Sequence, residues 1–361
     1  MEVKTKTYFG RLRPIALMLT MLVAALCAAL SIEAERLLFG VVSLIVMGGV
    51  FTALFLITQT NVYMVIGASG GVCLLQMIGG FPASLAGVGF ILAAFILAHC
   101  VRQHKPKIVA LVSMALTLGT VVLLSAAVLY AVRGGSLAPA DLLEKYQAFF
   151  HEMKIAYSVP VHEMVDGMDA ELLALYAKAG VSREMLLETY LESMEASVDA
   201  IQLAMPGIIA FLFQLVAYFE IAAFRICARI CRVDALLPAP RWHIYPTQVS
   251  CIVYLIVSVL YMIGSFFSSQ DSVFLMMTAN FWLILLPMML LCGVHVLVMR
   301  LQHPLYRTGT GIMLLAFVFG FFFLRSVAFQ LAFFVLSFLG AQTAWTQRTI
   351  EAEKMKKNQE E

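Results

Sequence analysis

The chain is 361 residues long; 62% of its residues are hydrophobic and only 13% are charged. Soluble globular proteins hold about 25% charged residues, so this composition excludes a soluble enzyme, a disordered protein and a nucleic-acid-binding domain. The net charge of +2 is too small to attract a polyanion. The mean hydropathy is +0.92, and the apolar residues fall in runs of about 20, a length that crosses a bilayer. We therefore predict an all-α, polytopic bundle of transmembrane helices.

The first 132 residues are predicted to form an N-terminal transmembrane bundle of five spans. The spans cover residues 14–32, 37–58, 62–80, 81–99 and 108–132. In the first span, small residues recur four apart, and this spacing lets another helix approach closely. They pack either inside the bundle or against another membrane protein. These helix-docking candidates are Ala24, Ala25, Ala28 and Ala29.

Residues 133–200 differ in character, because twelve acidic and five basic side chains give them a net charge of −7, against +9 for the rest of the chain. We predict a small helical insert of three helices. Pro139 suits the first position of a helix, and Gly180 suits the end of a second. Ser182 suits the N-cap of a third helix, which we expect to continue into the following span.

Residues 201–345 are predicted to form a second transmembrane bundle, followed by a cytoplasmic tail at 346–361. Its spans cover 201–224, interrupted by Pro206, then 247–267 and 273–299. The apolar stretch 309–344 is too long for one crossing of a bilayer about 30 Å thick. We therefore predict two short helices that meet near Arg325, which gives ten spans; a single helix would give nine.

The basic residues of the short loops predict the orientation, because Lys and Arg accumulate on the cytoplasmic side. With the spans placed as above, the four basic clusters all fall on one side. We predict a protein of the cell membrane with a cytoplasmic N terminus and an extracytoplasmic insert at 133–200. The clusters are Lys4/Lys6/Arg11/Arg13, Arg102/Lys105/Lys107, Arg225/Arg229/Arg232/Arg241 and Arg300/Arg307.

Polar residues inside the predicted spans are the candidate ligand-binding residues, because burying them in a membrane is costly. Glu220 is the clearest. It is either a proton, cation or polar-ligand site or part of an ion pair at the cytoplasmic interface, with Arg225 or with a basic residue of a neighbouring loop. The sequence favours the ion pair. Asn280 and Gln214 either form interhelical hydrogen bonds or line a polar pocket. Arg325 either reaches the interface or binds a carboxylate or phosphate.

A basic helix face and the loop that follows it are predicted to lie at the membrane interface. Anionic lipid headgroups attract such a face, and Trp prefers the headgroup region; docking of a cytoplasmic partner is the alternative. The residues are Arg225, Arg229, Arg232, Arg241 and Trp242. No phosphate-binding, nucleophile or metal-ligand motif occurs in the sequence, so we expect no catalytic residue, no metal site and no cofactor, and hence not an enzyme.

The segment at 236–246 resembles a signature of the YybS-like family of bacterial membrane proteins. The matching residues are Pro238, Pro240, Arg241, Trp242 and Pro246. Asn280 and Gly293 also resemble family positions, although Cys292 stands where the family has Gln. The family is similar in architecture to the substrate-binding components of energy-coupling-factor vitamin transporters and to the rod-shape protein MreD. The resemblance implies that the alanine face of the first span docks on a coupling subunit.

Two functions are open at this point. The first is a component that binds or transports a small molecule and has no ATPase of its own. The alternative is a structural or scaffold protein of the cell envelope, similar to MreD. The expected partners are the lipid bilayer and another membrane protein, either a coupling subunit or envelope machinery, and no nucleic acid.

Overall fold

The computed structural model describes residues 18–28, 30, 37–57, 69–74, 77, 81–230, 248–267, 272–302, 307–312, 314–315 and 335–341. Within these residues the chain is helical, apart from short turns, and contains no strand. The all-α prediction is confirmed. Five residues for which the sequence predicts a role lie outside the described residues: Ala29, Arg232, Arg241, Trp242 and Arg325.

Eight helices, numbered here in chain order, organise the described residues. They are α1 (Leu37–Ile57), α2 (Phe81–Arg102), α3 (Lys107–Val132), α4 (Pro139–Asp166), α5 (Ala170–Lys178), α6 (Arg183–Ile230), α7 (Gln248–Phe267) and α8 (Val273–Gln302). A shorter apolar helix occupies Met18–Ala28.

Five of these helices are long and apolar enough to cross a membrane by length and composition. They are α1, α2, α3, α6 and α8, and the shorter Met18–Ala28 and α7 are also apolar. The spans predicted at 37–58, 81–99, 108–132, 247–267 and 273–299 coincide with helices whose ends lie within a few residues of the predicted ones. The protein is therefore embedded in a membrane.

Helix α6 joins the insert to the membrane without a break, as the sequence predicts. It contains 48 residues, which at 1.5 Å per residue is about 72 Å, more than twice the hydrocarbon thickness of about 30 Å. The helix begins after Ser182, whose Oγ accepts a hydrogen bond from the Met185 N–H at 3.1 Å. This is the expected N-cap. The polar start of α6 therefore lies outside the membrane, and its apolar second half lies inside.

The chain divides into two compact units. The first comprises Met1–Ala126, Ile209–Ser258 and Trp282–Glu361. Its core draws buried side chains from Met18–Ala28, α1, α2, α3 and the second half of α6. Close helix packing continues through α8, where a Cβ added at Gly340 would lie 2.7 Å from the backbone N of Gly293. These two glycines let α8 and the helical segment 335–341 touch backbone to backbone.

The second unit comprises Ala127–Ile208 and Val259–Phe281. It therefore contains the predicted insert together with the end of α7 and the start of α8. Phe150 of α4 is buried and contacts the Tyr146 ring edge-on, with 5.0 Å between ring centroids. Lys154 pairs with Asp199 of α6 at 2.6 Å. Gly180, with φ of +83°, adopts the left-handed conformation that ends α5.

Candidate functional site

Glu220 lies in the most tightly buried part of α6, within the first unit. Ala217, Ile221, Phe224 and Ala228 recur at helical spacing around it, and all four are fully buried. This spacing places them on one face of the helix. Glu220 is also 0% exposed, so a carboxylate lies inside an otherwise apolar helix face. The helix is one of those that can cross the membrane.

Two consecutive glycines of α1 face this part of α6 and explain how the carboxylate fits. A Cβ added at Gly48 would lie 2.7 Å from Cδ of Glu220 and closer still to its Oε1. A Cβ added at Gly49 would lie 2.6 Å from the backbone N of Phe224. The carboxyl group of Glu220 therefore rests on the bare backbone of α1. Glycine pairs of this kind let membrane helices approach closely.

The carboxylate has no hydrogen-bond donor among the described residues. Both oxygens of Glu220 are buried and unpartnered there. The ion pair with Arg225 does not form, although both side chains are described. The reason is geometric, since residues three or four apart share a helix face and residues five apart do not. Arg225 is half-buried further along α6. The following loop, 231–247, lies outside the described residues.

Arg102 at the end of α2 and Lys107 at the start of α3 make other contacts. Arg102 donates to the carbonyl of Phe55 at 2.6 Å, which satisfies one of the free carbonyls in the last turn of α1. Lys107 is buried, and its Nζ lies 5.0 Å from the centre of the Tyr218 ring, a cation–π distance. Neither cation forms an ion pair with Glu220.

Gln214 belongs to the same unit and makes an interhelical hydrogen bond. Its Nε2 donates to the carbonyl of Ile284 in α8 at 2.8 Å, and its Oε1 is buried without a partner among the described residues. Gln214 and Glu220 are six residues apart on α6, and their contacts lie on different helices, α8 and α1. The structure therefore does not bring these two candidates together into one pocket.

Asn280 lies in the second unit, where its amide bridges an interrupted turn of α6. Its Nδ2 donates to the carbonyl of Leu203 at 2.9 Å, and its Oδ1 accepts from the N–H of Gly207 at 2.6 Å. Pro206 lies between these two residues. The interhelical hydrogen bonds expected for Asn280 and Gln214 are therefore confirmed.

Tyr146 completes this bridge. Proline has no N–H, so Pro206 leaves the carbonyl four residues earlier, that of Gln202, without its helical donor. The Tyr146 hydroxyl of α4 donates to this carbonyl at 2.5 Å. Burial raises the pKa of the Tyr146 phenol above its ordinary value. Side chains of α4 and α8 thus replace what the proline removes from α6.

The remaining sequence candidates that the structure describes are three alanines of the first span and Arg229. Ala24 and Ala25 are buried in the core of the first unit, and Ala28 is 7% exposed. Internal packing accounts for the burial of these three alanines. Docking of the first span on a coupling subunit stays a prediction. Arg229 is exposed near the end of α6, as an interface residue requires.

Sequence reasoning missed Gly48 and Gly49, the residues that make room for Glu220. The signal was available, because a Gly-Gly pair in the middle of a predicted span indicates close helix contact. What the signal lacks is the identity of the partner helix.

No family model, curated protein or solved structure matches the chain. The resemblance to the YybS-like family stays a prediction.

Proposed function

We propose that the protein is a membrane component that binds or transports a small molecule and has no ATPase of its own. The observation that carries this proposal is the fully buried carboxyl of Glu220, unpartnered among the described residues, in a helix that can cross the membrane. An ionisable group at such a position destabilises the packed protein. A helix with only a structural role would be more stable with Gln or Met there. The presence of a carboxyl at this position therefore favours a functional role over a purely structural one.

The proposal includes an orientation in the cell membrane of a bacterium. The N terminus and the four basic clusters face the cytoplasm, and the insert at 133–200 faces outward. In this arrangement α6 carries Glu220 near its cytoplasmic end, and Arg225 and Arg229 reach the lipid headgroups beyond it. The proposal involves no reaction on the ligand, and the energy source is a partner protein or an ion gradient.

The test is complementation of a deletion strain by Glu220→Gln, with protein abundance checked by immunoblot. We expect the variant to insert at normal abundance and to lose the cellular phenotype. Glu188→Gln, an exposed carboxylate on the same helix, is the matched control and should complement fully. Full complementation by Glu220→Gln at normal abundance would show that the carboxyl of Glu220 is not required for function.

A structural role in the cell envelope is the second candidate, and one observation favours it. The side-chain amides of Asn280 and Gln214 form hydrogen bonds to backbone groups of a neighbouring helix. Gly293 and Gly340 bring two helical segments into backbone contact. These features hold helices together and bind no ligand. This candidate expects Glu220→Gln to complement and expects envelope machinery to copurify with the protein.

A further inference from the structure

We propose that Glu220 is a proton-binding site, occupied while α1 and α6 are packed together and emptied when that contact opens to water. This inference deepens the proposed function, because it names the proton as the ligand of the same carboxyl. Moving an ionised carboxylate into an apolar environment costs far more than a typical protein stability, so such a group takes up a proton instead. The packed site therefore holds a neutral carboxylic acid.

The carboxylates outside the membrane provide the contrast. Asp199 pairs with Lys154, and Asp166 pairs with Arg183, in both cases with side chains at least a quarter exposed. These groups keep their charge because water and a cation stabilise it. Glu220 has neither within the described structure: its side chain is 0% exposed, and both oxygens lack a donor.

The space around Glu220 favours a proton over a metal cation. A bound Ca²⁺ needs six to eight oxygen ligands, whereas the carbonyl of Gly48 is already hydrogen-bonded to the Thr52 hydroxyl at 3.0 Å. A single carbon added at Gly48 would lie only 2.7 Å from the Glu220 Cδ. A proton occupies no comparable volume and needs only the carboxylate.

Among the described residues, no other charged group pairs with the carboxyl at the α1–α6 contact. Helix α1 contains no titratable side chain at all. On α6 the nearest titratable neighbours in sequence are Tyr218 and Arg225, and neither forms an ion pair with the carboxylate. The other described elements of this core carry titratable groups towards one end of their helices, in the segment 69–74 or in α8. None of them pairs with the carboxyl of Glu220: Cys27, Cys73, His99, Cys100, Arg102, Lys107 and Cys292.

Release of the proton requires the two helices to separate, because α1 backbone covers the carboxyl. The glycine pair makes the contact close and leaves it without interlocking side chains at Gly48. Opening admits water, the acid ionises, and reclosing requires a proton to be taken up again. A binding or transport cycle that opens this contact therefore releases one proton and takes up one proton for each opening and closing.

Infrared spectroscopy of the whole protein tests the protonation directly. The protein is purified into vesicles of phosphatidylethanolamine and phosphatidylglycerol, and the C=O stretching band of protonated carboxylic acids is recorded at neutral and mildly alkaline pH. We expect one such band in the parent protein that is lost in Glu220→Gln. Glu188→Gln should leave it unchanged. Gly48→Ala should shift the band, because the added methyl displaces the carboxyl. A parent spectrum without a band sensitive to Glu220→Gln would overturn the proposal.

Dicyclohexylcarbodiimide in the same vesicles tests the opening. The acid O–H adds across one C=N bond of this apolar reagent, and the acyl group then moves from oxygen to nitrogen. The product retains the whole reagent, so the mass of the Glu220 peptide rises by one reagent molecule. We expect labelling at Glu220 that declines as the pH rises. Absence of labelling at every pH would refute the opening step.

These outcomes separate the inference from the proposed function. If Glu220 is protonated but Glu220→Gln complements fully, the proton site is supported and its role in transport is refuted. An ionised Glu220 in a protein that Glu220→Gln inactivates would keep the functional site and overturn the proton assignment.

Discussion

Gly48 and Gly49 are adjacent in α1 but face different kinds of atom in α6, so alanine at each should have a different effect. A Cβ at Gly49 would lie 2.6 Å from the backbone N of Phe224 and 2.8 Å from the backbone carbon of Ala223. The three atoms nearest to a Cβ at Gly48 all belong to the Glu220 side chain. Backbone cannot move aside without moving the whole helix, whereas a glutamate side chain can rotate.

The magnitudes follow from these distances. Non-bonded carbon atoms prefer about 3.5–4.0 Å, so Gly49→Ala forces α1 and α6 apart by roughly 1 Å. Overpacking of this kind costs about 1–3 kcal/mol, and the higher helix propensity of alanine offsets about 1 kcal/mol of it. We expect a net destabilisation of about 1–2 kcal/mol for Gly49→Ala. Gly48→Ala should be close to neutral, since rotation of Glu220 relieves its clash.

Unfolding of both variants in the same detergent or lipid, followed by helix content, measures the difference. The parent protein and Gly70→Ala, at a glycine with open space around it, are the controls, and Gly70→Ala should not be destabilising. The reasoning fails if Gly48→Ala destabilises more than Gly49→Ala, or if Gly49→Ala is as stable as the parent. Either result would mean that α1 and α6 do not pack as described.

The bridge at Pro206 and the orientation of the insert give the remaining predictions. Tyr146→Phe should lower the free energy of unfolding by about 1 kcal/mol, the net value of one hydrogen bond. The loss should be smaller in a Pro206→Ala background, because the N–H of the new alanine can donate to the Gln202 carbonyl. Unfolding of the parent, the two single variants and the double variant measures this coupling. Burial raises the pKa of Tyr146, so the phenol stabilises the fold fully below the unfolded tyrosine pKa of about 10. This stabilisation is lost as the pH rises through the pKa of the folded state. A plot of unfolding free energy against pH should therefore fall less steeply in that range for Tyr146→Phe than for the parent protein. Asn280→Ala should cost about 1–3 kcal/mol, because it leaves buried backbone groups less well satisfied. Asn280→Asp should retain the acceptor for the Gly207 N–H, but it replaces the donor to the Leu203 carbonyl by a second acceptor. In a cysteine-free background, Lys145→Cys should react with an impermeant thiol reagent added to intact cells; reaction only after permeabilisation would invert the orientation.

The fold was largely predictable from the sequence because its determinants are local. Runs of apolar residues define α1, α2, α3 and α8, and single residues define the helix ends. Ser182 caps α6 through its own side chain, and Gly180 ends α5 by adopting a positive φ. The continuity of α6 was predictable because no helix-ending signal separates the insert from the span; Pro206 alone does not end the helix.

The candidate site was less predictable because its determinants are contacts between distant segments. The position of Glu220 in a span was visible, yet its environment depends on α1, more than 170 positions earlier in the chain. The sequence therefore suggested Arg225, the nearest cation along the helix, and that pairing is wrong. For Asn280 the sequence predicted an interhelical hydrogen bond but not its partners. These partners are backbone atoms next to Pro206, and no side-chain pattern identifies backbone partners.

Gln214 and Glu220 show why the amide is the informative substitution at the buried carboxyl. Both side chains are buried on α6, and Gln214 is accommodated by a single hydrogen bond to a backbone carbonyl. A glutamine at 220 has nearly the shape of a protonated glutamic acid, so it reproduces the packed state and cannot release a proton. If packing alone mattered, Glu220→Gln would leave the stability unchanged or raise it, and it would leave the function in cells unchanged. We expect it to be neutral or stabilising in unfolding experiments and inactive in cells. This combination arises only if the protein needs the charged form of Glu220 at some stage, which the packed structure excludes and an opened contact permits.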